Sequence, residues 1–117
     1  MEWRNQVAVV TGGARGIGRA TARLLAQRGS AVCVNHAMHA DAAEALVAEI
    51  VASGRRAIAV AADVADSAAV EAMFARTEAE LGPVTILDDA RSEVCSHAAC
   101  RIYDARRIQA RRHERAR

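Results

Sequence analysis

One stretch limits what this chain can become: Val7-Ala-Val-Val-Thr-Gly-Gly-Ala-Arg-Gly-Ile-Gly18. A short β-branched apolar run reads as a buried strand, and it breaks into a glycine cluster. A helical pattern follows from about Gly16 to Arg28, with Ile17, Leu24 and Leu25 apolar and Arg15, Arg19 and Arg23 polar. Gly12 lets the chain turn sharply off the strand, and Gly16 lets backbone amides approach a pyrophosphate with no Cβ in the way. Gly18 permits close helix–strand packing. The positive end of the helix then faces the anion. Strand, glycine turn and helix in that order predict a phosphate cradle.

The next seventy or so residues repeat the rhythm. Ala31 to Asn35 reads as a second strand, and a helix follows from about Ala42 to Ser53. Asp41 is its expected N-cap, Glu44 completes a capping box, and Leu46, Val47 and Ile50 form its buried stripe. Ala57 to Ala61 is a third strand running into Asp63-Val64. Asp66 or Ser67 caps a third helix with Val70, Met73, Phe74, Thr77 and Leu81 on one face. Gly82-Pro83 stops that helix, and Val84 to Leu87 is a fourth strand. Strands alternating with helices through short links predict an α/β, Rossmann-like doubly wound parallel sheet, here with about four strands.

Charge divides the chain. Residues 1–90 carry 8 arginines against 11 acids, net −3, whereas residues 91–117 carry 8 arginines against 3 acids, net +5. The expected organisation is therefore a partial dinucleotide-binding domain over 1–90 and an arginine-rich segment over 91–117, disordered or weakly helical. Without interleaved aromatics that segment is read as a solvated tail, with no nucleic-acid partner. Cys95, His97 and Cys100, with His113 beyond, match no common zinc spacing, so no metal site is expected. No apolar run approaches membrane-spanning length and no signal pattern opens the chain, which makes a cytoplasmic location the default.

The glycine motif Thr11-Gly12-x-x-x-Gly16-Ile17-Gly18 resembles that of the short-chain dehydrogenase/reductase family. Asp63-Val64 after the third strand and Gly82-Pro83-Val84-Thr85-Ile86-Leu87 leading into the fourth are also similar to it. The resemblance covers roughly residues 4 to 87. It looks strongest to bacterial members that act as 3-oxoacyl-carrier-protein reductases or glucose dehydrogenases. It implies a Rossmann fold, a nicotinamide dinucleotide and carbonyl/alcohol redox chemistry, with Asp63 and Val64 holding the adenine.

Cofactor choice follows from residues at the end of the second strand. A site for NAD places a carboxylate there to accept from the ribose 2′-hydroxyl. Asn35-His36-Ala37 offers no acid to repel a 2′-phosphate. Arg15 matches the position where NADP-using members carry a basic residue, although a solvated surface arginine is the plainer alternative. The second basic residue expected near position 37 is absent. NADP is favoured over NAD, with Thr11, Gly12, Arg15, Gly16, Ile17, Gly18, Asn35, His36, Asp63 and Val64 as the candidate binding residues.

After Leu87 the resemblance lapses. The family continues Val-Asn-Asn-Ala-Gly, and later supplies a serine and a Tyr-x-x-x-Lys in which the lysine lowers the tyrosine pKa. Here Asp88-Asp89-Ala90-Arg91 follows, and the 117 residues contain no lysine. Tyr103 lies too near the fourth strand to take the catalytic role, and Arg107 has the wrong geometry to stand in for lysine. No catalytic residue is assigned. Motif break, charge reversal and lost rhythm at one place point to a shift of reading frame near residue 87. The expectation is an NADP(H)-binding N-terminal part of an oxidoreductase without independent catalysis. A non-catalytic dinucleotide module and a nonfunctional fragment with an exposed sheet edge are the alternatives. The helices through which the family usually assembles are absent from this stretch.

Overall fold

The β-branched runs form a four-stranded, wholly parallel sheet in the order β3-β2-β1-β4. The computed structural model describes residues 3–89. A single 3₁₀ turn, Trp3–Asn5, precedes β1 (Val7–Thr11), α1 (Gly16–Gln27), β2 (Ala31–His36) and α2 (Ala40–Ala52). Then come β3 (Ala57–Ala61), α3 (Ser67–Glu80) and β4 (Ile86–Asp89). The chain winds outward from β1 to β3, then crosses back so that β4 pairs with the other side of β1. That reversal beside β1 is the position at which open α/β sheets form a ligand crevice.

Alternation along the buried strands feeds two cores. Val7, Val9, Ala31 and Cys33 face α3, where Val70, Met73 and Phe74 pack. Ala8, Val10, Val32 and Val34 face the other way, onto Ala22, Leu25 and Ala26 of α1 and Ala43, Leu46 and Ile50 of α2. Helices therefore cover both faces, as the doubly wound reading requires.

Several boundaries differ from the sequence reading, each for a physical reason. β2 runs on to His36 because His36 pairs with Ala61 in register and its carbonyl accepts from Ala62 N at 3.0 Å. α2 starts at Ala40 with His39 as N-cap, so the expected Asp41–Glu44 capping box does not form. Asp41 stays in the first turn, where its carboxylate still complements the helix dipole. α1 buries Gly18, Ala22, Leu25 and Ala26. Ile17 and Leu24 share a different stripe and are 73% and 51% exposed. β4 occupies Ile86–Asp89 rather than 84–87, with Asp88 opposite Val10 and Asp89 opposite Thr11. Just before it Thr85 N donates to Val7 O at 2.9 Å, while the Thr85 hydroxyl takes Val7 N, accepting at 3.0 Å, and lies 3.3 Å from Val7 O as donor. α3 begins as expected: the Asp66 carboxylate accepts from Ala68 N at 3.0 Å and Ala69 N at 3.3 Å.

Candidate cofactor-binding site

The carboxyl ends of β1, β2 and β3 open into a cleft of about 180 Å³ lined by Gly12, Ala14, Arg15, Asn35, His36, Ala37, Met38, His39, Ala62 and Val64. No carboxylate is among them. Gly12 and Gly16 hold φ of +63° and +60°, a left-handed conformation that costs a side-chain-bearing residue roughly 1 kcal/mol or more. An added Cβ at Gly16 would meet nothing within 4 Å, so conformation alone demands glycine there and the space before it is open. Gly13, which the sequence reading passed over, is the tightly packed one. Its Cβ would lie 3.1 Å from Val10 O and 3.2 Å from Val34 Cγ1.

Asn35 holds the turn in place. Its Oδ1 accepts from Gly12 N at 3.3 Å, and its backbone carbonyl accepts from Gly13 N at 3.0 Å. Its Nδ2 donates to Ala62 O at 3.0 Å and Val60 O at 3.4 Å. One fully buried amide thus ties together the ends of β1, β2 and β3. Asn35 forms the floor of the cleft, its polar atoms committed to the protein.

His36, next along β2, is 8% exposed, and its Nδ1 is buried with no hydrogen-bond partner. An unpaired buried polar atom is costly in a folded protein, and this one belongs to a residue lining the cleft. Arg15 reaches the same space from the glycine turn, its Nη1 2.9 Å from Nε2 of His39. Sequence reasoning missed His39 because it placed the start of α2 beyond it; as N-cap, His39 is carried to the cleft instead. α1 opens with no side-chain cap, leaving its first amides available to an anion.

The remaining candidates lie at the margins. Val64 is buried in the lining, whereas Asp63 is exposed and uses Oδ1 to accept from Ala65 N at 2.9 Å in the turn leading to α3. Thr11 is buried at the end of β1, its hydroxyl 3.4 Å from Asp88 O. Gly18 is buried on α1, and Ile17 stands in solvent. Among the described residues no group of His, Cys, Asp and Glu could hold a metal ion. Tyr103, the Cys95–His97–Cys100 group and the arginine-rich segment fall outside the described residues. The donor set fits the phosphates of a dinucleotide: open glycine backbone, an uncapped helix start, and basic groups in a lining with no acid.

A family model for short chain dehydrogenases matches residues 6–91. This chain belongs to that family. Its short-chain dehydrogenase segment is 48% identical over 82 residues to a 3-oxoacyl-[acyl-carrier-protein] reductase of Synechocystis sp., covering 70% of this chain and 33% of that protein. It is similar in structure to a blue fluorescent protein from a metagenomic library solved with NADPH, at 42% identity and a TM-score of 0.71, covering 74% of this chain and 36% of the other. A short-chain dehydrogenase from Burkholderia cenocepacia solved with NADP superposes with a TM-score of 0.81 at 33% identity, covering 95% and 52%. The chain spans about a third of the length of the curated relatives it matches. Short-chain dehydrogenases are dinucleotide-binding oxidoreductases, and the chain carries the N-terminal part of that fold. Among the described residues no helix is long and apolar enough to cross a membrane.

Proposed function

We propose that residues 1–90 bind NADP(H) in preference to NAD(H), as the cofactor-holding part of a short-chain oxidoreductase. The observation that carries this reading is a cleft with Arg15, His36 and His39 in its lining and no carboxylate. A ribose 2′-hydroxyl wants an acceptor there, whereas a 2′-phosphate wants donors and positive charge. Gly12 and Gly16 would admit the pyrophosphate to the first amides of α1, and Asp63 and Val64 would flank the adenine. When bound, the nicotinamide supplies hydride transfer to or from a carbonyl or alcohol.

These 117 residues contain no lysine. A reaction that relies on a Tyr-x-x-x-Lys pair must therefore take its proton-transfer groups from outside them, and the chain alone is proposed to bind without turnover. Residues 91–117 are proposed to form a separate basic segment that takes no part in cofactor recognition.

Calorimetric titration of the full chain tests both statements. Saturable binding of NADPH, weaker binding of NADH and no reductase activity are expected. Absence of binding, or equal affinity for the two cofactors, would overturn the reading.

A further inference from the structure

Arg15 and His39 come from different elements, the glycine turn and the residue preceding α2, yet their side chains meet at 2.9 Å. A guanidinium only donates. Nε2 of His39 therefore accepts from Arg15 Nη1, which leaves the ring proton on Nδ1. The backbone beneath the pair is braced as well. Arg19 Nη1 donates to Ala42 O at 3.0 Å and contacts Ala14 O at 3.4 Å, tying the turn that carries Arg15 to the first turn of α2.

The His39 side chain does nothing for its own helix, although the backbone carbonyl accepts from Ala43 N at 3.0 Å. His39 is the N-cap of α2 but makes no side-chain bond to the helix amides, a job that Ser, Thr, Asp or Asn performs well. Its exposed ring is not needed to fill the core. What the ring does instead is hold a cation at the edge of a cleft in which His36 Nδ1 waits without a partner.

We propose that His39 is a positioning residue that sets the Arg15 guanidinium across the cleft to meet a 2′-phosphate, so that selectivity for the phosphorylated cofactor depends on the Arg15–His39 pair. The proposal rests on the cleft being the adenosine end of a dinucleotide site. A free arginine must be ordered when the phosphate arrives, and one already held by an acceptor loses less freedom on binding. Ala37 carries no charge, so the second contribution to phosphate selectivity comes two residues later, through the start of α2.

Calorimetry with 2′,5′-ADP and 5′-AMP, which differ only in the 2′-phosphate, tests this on the full chain. The unsubstituted protein should bind 2′,5′-ADP more tightly. His39→Ala should weaken 2′,5′-ADP by about three- to fivefold relative to 5′-AMP, the scale of an exposed charged pair. His39→Gln, whose amide oxygen can accept from Arg15, should restore most of the loss. Arg15→Ala and the double variant Arg15→Ala/His39→Ala should be equally weak, because His39 acts only through Arg15. Undiminished 2′,5′-ADP binding relative to 5′-AMP in His39→Ala, no recovery in His39→Gln, or additive losses in the double variant would overturn the proposal alone. Equal affinity of the unsubstituted protein for both probes would overturn the NADP reading, and this proposal with it.

Discussion

A methyl group at position 13 has no free volume to enter, since Val10 O and Val34 Cγ1 would lie 3.1 and 3.2 Å from it. Neither neighbour can retreat easily: one is backbone of β1, and the other packs in the core under α1 and α2. Gly13→Ala should therefore cost about 1–3 kcal/mol, the usual penalty of overpacking. An unchanged urea midpoint would sink this. At Cys33, burial pushes the thiol pKa up to about 11, against smaller opposing effects of hydrogen bonding with Thr77 and the charge of Arg76. The fold keeps the proton longer than the unfolded chain does, so stability present below the ordinary thiol pKa is lost as pH climbs toward 11. Cys33→Val should flatten the fall in urea midpoint across that alkaline window relative to the parent. Parallel curves would show that the thiol is not responsible.

At the scale of elements, most of the architecture was legible because apolar periodicity and glycine placement are local signals. The strand–turn–helix at 7–18 and the Asp66 cap of α3 follow from neighbouring residues alone. The start of α2 was not legible: Asp41 and Glu44 satisfy a capping-box spacing, yet the brace from Arg19 to Ala42 O helps fix the turn elsewhere. That long-range contact also brings His39 to Arg15, which no local pattern announces. The cost of using a histidine there can be measured. His39→Ser should cap α2 and add about 1 kcal/mol of stability while narrowing the preference for 2′,5′-ADP over 5′-AMP; a variant no more stable than the parent would count against the capping argument. β4 has a comparable conflict. Alternation puts the half-buried Asp88 on the same face as Ile86, beside Val10, where an apolar side chain belongs. Asp88→Val should raise the urea midpoint by the equivalent of about 1 kcal/mol, and a lowered midpoint would mean that the carboxylate has a stabilising partner.

For the molecule as a whole, the two cores are not independent units. Both are built on β1 and β2, one from Val7, Val9 and Cys33 and the other from Ala8, Val10 and Val34. Losing either face strips the sheet that the other needs, so residues 3–89 should unfold in one cooperative transition. The proposed ligand touches only the carboxyl ends of the strands, but Asn35 already links β1, β2 and β3 at that end. Occupying the cleft therefore cannot stabilise the loops alone; whatever binds the folded state must raise the whole transition. At a hundredfold excess over its Kd, a ligand adds about 2.7 kcal/mol. For a unit of this size that moves the melting temperature by about 10 °C or more. NADPH should produce that shift at concentrations where NADH produces a much smaller one, and Arg15→Ala should bring the two together. If NADPH slowed amide exchange around Gly12–Gly18 yet left the melting temperature unmoved, the cleft and the sheet would be uncoupled, and the bracing role given to Asn35 would be wrong.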